Sequence, residues 1–256
     1  MILRGYFSSE ILRMGTNIQF LFPEQEPRRV VYLLHGLHGD QGTWLDRTML
    51  PVYAAEYDAV FVIPEAGRSF YTDQLYGRKY FSYINEELPQ VCKKMFGLAP
   101  ARENTAVMGC SMGGYGALKL CLTFPQQYGF CGAISPACLY FEDILSGLRK
   151  NAESYRKTGA EAEETLKDLY AIYGNNLEYI PDYDIVKLAK KFDDPKTAPK
   201  FYITCGTEDR LHEENIRFRE DIKNIPFDLT YEEWSGKHDW YFFNEALRKT
   251  LKIWYS

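Results

Sequence analysis

Ser111 stands in a glycine-rich turn whose residue types and spacing could make it a nucleophile. Gly109-Cys-Ser-Met-Gly113 fits the pattern G-x-S-x-G, with an apolar run from Thr105 to Met108 before it and a helix-like pattern after it. In such a strand–turn–helix unit the two glycines avoid clashes with the neighbouring strand and helix, and the serine Oγ projects beside the helix N-terminus. The backbone N–H of Met112 can then face a developing oxyanion. The alternative is a glycine-rich turn with an incidental serine.

A serine nucleophile needs a general base, and His238 is the histidine whose place in the chain fits that role. Serine hydrolases of this kind supply the partners in the order serine, acid, histidine, each on a loop after a later strand. Of the four histidines, His35 and His38 precede the serine. His212 lies three residues after the best acid candidate, so the two cannot come from separate loops. His238 remains, directly after the last predicted strand.

The acid is expected in the turn Gly206-Thr-Glu-Asp209, which offers two carboxylates after an apolar run. We favour Asp209 over Glu208 because the shorter side chain at the end of this turn would point back toward His238. In this role the carboxylate holds the imidazole tautomer and stabilises the imidazolium.

The loop after the first core strand, His35-Gly-Leu-His-Gly39, is the expected source of a second oxyanion donor. The backbone N–H of Leu37 is our choice, with Gly36 as the alternative. His35 and His38 are two residues of one turn without a third ligand nearby, so we expect neither a metal site nor a cofactor.

Strand-like and helix-like segments alternate along the chain, which predicts a mostly parallel sheet flanked by helices. An edge strand is expected over Asp228 to Glu233, and antiparallel edge strands over Glu10 to Phe22. The other expected strands are Val30–Leu34, Ala59–Ile63, Thr105–Met108, Phe130–Ile134 and Phe201–Cys205, and the expected helices are Ile84–Met95, Gly114–Phe124, Glu213–Asn224 and Trp240–Trp254.

Residues 141–199 interrupt this alternation with charged, helix-like segments, Asn151 to Tyr173 and Ile185 to Phe192. A connection of roughly sixty residues is too long for a plain crossover. We expect one domain over residues 1–256, with 141–199 as a helical cap or lid over the sheet. A long decorated crossover without a role in substrate binding is the alternative.

Composition and charge exclude several classes of protein. The net charge is −5 without a long basic run, which argues against a nucleic-acid partner, and no window approaches the ~18–20 apolar residues of a membrane span. The six cysteines form no C-x-x-C pair, and no apolar leader is visible at the N-terminus. A cytoplasmic protein with reduced thiols and a small-molecule substrate is expected. The oligomeric state stays open, with a homo-oligomer among the options.

Four stretches of the chain resemble the esterase D-like branch of the α/β-hydrolases, also called the putative esterase family. They are Tyr32–Asp40 followed by Trp44, Arg68–Asp73 with Tyr80–Pro89, Gly109–Gly116, and Cys205–Asp209 with His238–Trp240. The opening Phe7–Leu12 is similar to the start of the tributyrin esterases. Where the family usually has a histidine before the serine, this chain has Cys110.

The resemblance implies an α/β-hydrolase with nucleophile Ser111, acid Asp209, base His238 and an oxyanion hole of the Leu37 and Met112 amides. It also implies a carboxylesterase without a cofactor that favours short acyl chains. A feruloyl or acetyl-xylan esterase, an S-formylglutathione hydrolase-like thioesterase or acyltransferase, and a non-catalytic binding protein on the same fold are the alternatives. Four aromatic residues flank the site in sequence and are candidates for the substrate pocket, although core packing is the alternative for each: Trp44, Tyr71, Tyr115 and Trp240.

Overall fold

A single sheet forms the centre of the computed structural model, which describes residues 1–158, 161–174, 184–192 and 196–256. Within these residues the sheet has eight strands in the order β1-β2-β4-β3-β5-β6-β7-β8. The first two strands run antiparallel to their neighbours, and the others are parallel. The strands are β1 Ile2–Ser9, β2 Met14–Leu21, β3 Arg29–Leu34, β4 Ala59–Pro64, β5 Thr105–Cys110, β6 Phe130–Ile134, β7 Lys200–Gly206 and β8 Asp228–Trp234.

The six strands predicted from β3 to β8 are all present, and each observed strand covers its predicted range. The continuous apolar runs form the strands buried on both faces, whereas β8 alternates between exposed and half-buried residues at the sheet edge. The predicted range of the antiparallel edge strands, Glu10 to Phe22, contains β2 but begins too late in the chain to include β1. The chain turns near Arg13, and β1 occupies residues before Glu10.

Ten α-helices lie among the described residues, and the predicted Trp240–Trp254 helix has the bounds observed for α10. The predicted Ile84–Met95 helix begins instead with a π-helical turn, Tyr83–Glu87, that continues into α4. The helices are α1 Thr43–Arg47, α2 Leu50–Tyr53, α3 Tyr80–Ser82, α4 Leu88–Phe96, α5 Met112–Thr123, α6 Phe141–Thr158, α7 Glu161–Tyr173, α8 Ile185–Lys190, α9 His212–Ile222 and α10 Trp240–Trp254; short 3₁₀ turns occupy Ala54–Glu56 and Arg102–Asn104.

Two apolar cores sandwich the sheet, because successive side chains of a strand point to opposite faces. On β3, Tyr32 and Leu34 face the core beneath α4, α5, α7, α8 and α9. Val31 and Leu33 face the core beneath α1, α2 and α10. Because β3 and β5 to β8 run parallel, the carboxyl ends of these strands lie on the same side of the sheet, between the two helical layers.

Residues 141–192 hold α6, α7 and α8 where the sequence predicted a helical insertion. The predicted Asn151–Tyr173 helix is instead two helices, and the first begins ten residues earlier, at Phe141. Residues 159–160, 175–183 and 193–195 of the insertion lie outside the described residues. None of the helices in the described ranges combines the length and the apolar character needed to cross a bilayer.

Candidate active site

Ser111 occupies a sharp turn between β5 and α5, with φ 55° and ψ −118°. Such a left-handed conformation is strained for a residue with a side chain. The turn is fixed on both sides. The Ser111 N–H donates to the Ile134 carbonyl at 2.9 Å, and a Cβ atom on Gly109 would lie 2.5 Å from the Gly113 carbonyl oxygen. The glycines therefore allow the close approach that lifts Ser111 above the sheet edge.

Ser111, His238 and Asp209 form one continuous chain of hydrogen bonds. The Ser111 Oγ lies 2.9 Å from His238 Nε2, and His238 Nδ1 lies 2.8 Å from Asp209 Oδ2. The Asp209 side chain is fully buried, and the His238 side chain is 12% exposed. With the Nδ1 proton held by Asp209, Nε2 is free to accept the serine proton.

The two carboxylates of the acid turn point to different partners. The Leu211 N–H donates to Asp209 Oδ1 at 2.8 Å, which leaves Oδ2 for His238. Burial raises the pKa of Asp209, but its bonds with His238 and the Leu211 N–H outweigh burial and hold that pKa below the ordinary value. Glu208 is exposed and accepts from Gly236 and Thr207 instead. The structure thus brings Asp209, and not Glu208, to His238.

The predicted oxyanion donors reach the same cavity as the serine. Met112 is the first residue of α5, where backbone N–H groups have no intrahelical partner. Leu37, its neighbour Gly36 and Met112 all line the cavity into which Ser111 opens. The Leu37 amide, from the loop after β3, and the Met112 amide, from the start of α5, are therefore the candidate donors for an oxyanion next to Ser111.

His35 is buried behind the loop that follows β3, and its ring nitrogens bind two backbone groups. Its Nδ1 lies 2.8 Å from the Gly36 carbonyl, and the Ala66 N–H donates to Nε2 at 3.1 Å. Burial lowers its pKa, in keeping with a neutral ring that ties the loop after β3 to the loop after β4. Across the described parts of the chain, no three His, Cys, Asp or Glu side chains are grouped to hold a metal ion.

The cavity has a volume of about 1090 Å³ and is lined by two chemically different groups of residues, which we call the polar wall and the apolar wall. The polar wall comprises residues from the loop after β3 and from α1, against which Trp240 packs through Trp44: His38, Asp40, Thr43, Asp46 and Arg47. Arg210 and Glu214 are charged residues that line the cavity elsewhere. The apolar wall comprises Phe70, Met112, Ala137, Cys138, Ile144 and Leu148. The insertion contributes to this second wall through α6 and, with Thr165, through α7. Apart from Met112, the apolar lining residues were not predicted from the sequence, because no pattern shows which side chains turn toward the cavity.

Three of the four aromatic candidates for the pocket pack in the core instead. Trp44 is fully buried and donates its indole N–H to the Leu34 carbonyl at 2.9 Å. Tyr71 and Tyr115 are fully buried as well, and neither contributes to the cavity wall. Trp240 alone of the four lines the cavity, with its ring 5.3 Å from that of Trp44. Trp44 therefore lies beside Trp240 as a packing partner rather than in the cavity.

A family model described as "Putative esterase" matches residues 9–253 of this chain. The chain belongs to this esterase family. An acetyl esterase of Caldicellulosiruptor saccharolyticus is 28% identical to it, over all of this chain and 98% of the relative.

Solved esterase structures share the fold of this family member. FphF, a fluorophosphonate-binding serine hydrolase of Staphylococcus aureus, has a TM-score of 0.86 at 24% identity, covering 100% of this chain and 98% of that protein. The S-formylglutathione hydrolase of the same organism has a TM-score of 0.80 at 23% identity, covering 100% and 99%. The predicted α/β-hydrolase fold, the predicted family and the enzyme class, a serine hydrolase of carboxylic esters, are confirmed.

Proposed function

We propose that this esterase hydrolyses short-chain acyl esters through an acyl-enzyme on Ser111, with His238 as general base and Asp209 as the acid that orients it. The hydrogen-bonded chain of Ser111, His238 and Asp209, opening into a cavity of about 1090 Å³, carries the proposal. A serine, a base within hydrogen-bond reach and a third group that orients the base are what nucleophilic catalysis needs.

The proposed steps of acylation follow from the hydrogen-bonded chain. His238 Nε2 takes the Ser111 proton as Oγ attacks the ester carbonyl, and the N–H groups of Leu37 and Met112 stabilise the oxyanion of the tetrahedral intermediate. Its collapse breaks the bond to the alcohol oxygen, and His238 delivers the proton to the leaving alcohol. Water then attacks the acyl-enzyme, again with His238 as base, and releases the acid.

The two walls of the cavity support an assignment of acyl and alcohol sides. His238 protonates the leaving group, so the alcohol is placed beside Asp239 and Trp240, on the polar wall. The acyl group then lies against the apolar wall, which α6 and α7 of the 141–199 insertion help to close. We therefore propose that the insertion acts as a cap, and that it limits the acyl length. The acetyl esterase relative supports a short acyl group.

A second candidate is an acyl ester of a sugar. The polar wall presents Asp40, Asp46 and Arg47 beside the half-buried ring of Trp240. Carboxylates and a guanidinium can hydrogen-bond the hydroxyls of a polyhydroxy alcohol, while an indole face packs against its apolar C–H face. With a simple alcohol as the leaving group, these polar side chains would hydrogen-bond only to water and not to the substrate.

Hydrolysis of p-nitrophenyl esters from acetate to octanoate, plus a ferulate, tests the proposal, with Ser111→Ala as the control. The expected result is activity that falls beyond butyrate and is lost in Ser111→Ala, together with ping-pong kinetics and covalent labelling of Ser111 by an organophosphonate. Near-wild-type turnover by Ser111→Ala would show that Ser111 is not the nucleophile.

Substrates with other leaving groups separate the candidates. Acetylated xylooligosaccharides should be hydrolysed better than p-nitrophenyl acetate if the alcohol is a sugar. Preferential cleavage of an acyl thioester, or a high yield of transferred acyl group with added alcohol, would shift the assignment to a thioesterase or an acyltransferase.

We also propose a cytoplasmic location, which rests on the cysteines. All six are buried free thiols, and burial raises the pKa of Cys110 and Cys205, which disfavours the reactive thiolate. Free thiols of this kind are typical of a reducing compartment.

A further inference from the structure

Two consecutive residues beside the nucleophile helix, Phe70 and Tyr71, have left-handed backbone conformations with φ 48° and 49°. Neither is a glycine, and both side chains are buried. Two such residues in succession are rare and persist only where surrounding contacts determine them. Phe70 lines the cavity of Ser111, so this segment forms part of the apolar wall.

Lys119, a fully buried residue on α5, bonds to this segment. Its Nζ donates to the Phe70 carbonyl at 3.1 Å and to the Thr72 hydroxyl at 2.6 Å, and that hydroxyl donates to the Phe70 carbonyl at 2.9 Å. The ammonium also lies 5.0 Å from the Phe81 ring and 4.9 Å from the Tyr115 ring. Burial lowers the pKa of Lys119, which reflects the cost of placing an amine in the core. A methionine would fill similar space without that cost, so packing alone does not account for a lysine.

The neighbouring residue Tyr71 is fixed to the other side of the nucleophile. Its hydroxyl donates to the His35 carbonyl at 2.9 Å. Its ring lies against Gly116 of α5, where a Cβ atom would come within 2.6 Å of it. The backbone of the segment is therefore held between α5 and the loop that carries Leu37.

The insertion is tied to the same segment. The Tyr173 hydroxyl at the end of α7 lies 3.1 Å from the Tyr115 hydroxyl and 3.4 Å from that of Thr72. Arg68 donates to Asp168 of α7 at 2.7 Å. Phe70 itself packs against Phe141, the first residue of α6, with ring centroids 6.4 Å apart. Phe70 thus lies between α5 and the start of α6, in a segment whose neighbouring residues bond to α7.

We propose that Phe70 is a specificity-determining residue that limits the length of the acyl group, and that Lys119 is the positioning residue that holds it in the apolar wall. The inference rests on the proposed esterase function and adds to it the residue that closes the acyl side. It follows from the place of Phe70 on the apolar wall, and from a backbone conformation that the Lys119 and Thr72 bonds stabilise.

Acyl-length profiles of Phe70→Ala and Phe70→Leu test the role of Phe70. Rates are measured on p-nitrophenyl acetate, butyrate, hexanoate and octanoate, and normalised to the fraction of Ser111 that an alkylphosphonate labels. The ratio of kcat/KM for hexanoate to that for acetate should rise about tenfold or more in Phe70→Ala and less in Phe70→Leu, because the cavity gains room for added methylenes. Phe130→Leu is the matched control and should keep the wild-type ratio, because the Phe130 ring is buried in the core beneath α10 and does not line the cavity.

Lys119→Met tests the positioning role, and Thr72→Val serves where the first variant does not fold. Each should raise the same hexanoate-to-acetate ratio while the kcat for acetate changes little. The double variant with Phe70→Ala should show the ratio of Phe70→Ala alone. A loss of rate that is equal for all acyl lengths, or effects that add in the double variant, would reject Lys119 as the positioning residue.

The outcomes distinguish this inference from the proposed function. An unchanged acyl profile in Phe70→Ala, with wild-type enzyme active on esters, overturns the inference and leaves the esterase mechanism intact. An absence of phosphonate labelling and of hydrolysis for every acyl length in the wild-type enzyme overturns both.

Discussion

Gly113 packs so closely against Leu34 that a Cβ atom on Gly113 would lie 2.3 Å from the Leu34 carbonyl oxygen. The contact joins the start of α5 to the end of β3, directly beside Ser111. The His35 carbonyl oxygen would be only 2.8 Å from the same Cβ. Because both obstacles are backbone atoms, a side chain at this position cannot be accommodated by a rotamer change.

Replacing Gly113 by alanine should therefore destabilise the turn of the nucleophile. We expect Gly113→Ala to lower the free energy of unfolding by about 2 kcal/mol or more, as overpacking against a backbone requires movement of β3 or α5. Urea denaturation measures the change. Gly147→Ala on α6 is the control, and should gain about 0.5–1 kcal/mol as a helical Gly-to-Ala change, because among the described residues no atom outside the local helix backbone lies within 4 Å of the added Cβ. Equal stability of wild-type protein and Gly113→Ala would contradict the contact.

Asp209 and Glu208 differ in their partners, which predicts different effects of removing each charge. Asp209→Asn should lower kcat by about 10⁴-fold, since an amide no longer holds the His238 tautomer that accepts the serine proton. Glu208→Gln should leave kcat within a small factor, because Glu208 bonds to the 207 and 236 positions and not to His238. Steady-state kinetics of the two variants on one ester decides between the carboxylates. A larger loss of kcat in Glu208→Gln than in Asp209→Asn would show that Glu208, and not Asp209, orients His238.

The pKa of Asp209 also predicts how stability depends on pH. The hydrogen-bond partners of Asp209 hold its pKa below the ordinary value despite burial, whereas an aspartate in the unfolded chain has a pKa of about 3.9. The ionised carboxylate therefore contributes stability that is fully present above the unfolded pKa and is lost as the pH falls through the folded pKa. The free energy of unfolding should fall more steeply between about pH 5 and pH 3 in wild-type protein than in Asp209→Asn, because the other carboxylates are common to both. Parallel slopes over this range would show that Asp209 is not stabilised as an ion.

Glu214 on α9 lines the cavity and bonds to the two residues that directly precede the insertion. Its Oε1 accepts from the Leu139 N–H at 2.6 Å and from the Tyr140 N–H at 3.2 Å. Burial raises the pKa of Glu214, although these two amides oppose the shift. Two backbone donors thus depend on one side-chain oxygen next to Cys138, which lines the cavity.

Removing the Glu214 oxygen that accepts these bonds should destabilise the protein more than removing only the charge of Glu214. Glu214→Ala should lower the free energy of unfolding by about 1–3 kcal/mol, since it leaves two backbone donors without this acceptor, and it should raise KM as the 138–140 turn loosens. Glu214→Gln keeps an acceptor oxygen and should stay close to wild type in both. Thermal unfolding and KM for a butyrate ester measure the two effects. Equal losses in the two variants would show that charge, rather than the acceptor, matters here.

The positions of Ser111, Asp209 and His238 could be predicted because each follows a predicted strand, at a turn that contains a glycine. The carboxyl ends of neighbouring parallel strands meet at one edge of a sheet, so residues far apart in sequence become neighbours there. Ser111 and His238 are 127 positions apart, yet their Oγ and Nε2 atoms lie 2.9 Å apart. Strand order and chain order together determine that meeting point.

The sequence by itself thus determined the strand–helix alternation and the three residues of the hydrogen-bonded chain, because apolar runs and glycine turns are local signals. It indicated the family through the resemblance of four stretches to known esterases. Only the tertiary structure decided which side chains line the cavity. Trp44, Tyr71 and Tyr115 are close to the motifs in sequence but pack in the core, while Phe70 lines the cavity from the position next to Tyr71. The direction of each ring depends on non-local contacts such as Tyr71 with Gly116 and with the His35 carbonyl, which no local pattern encodes.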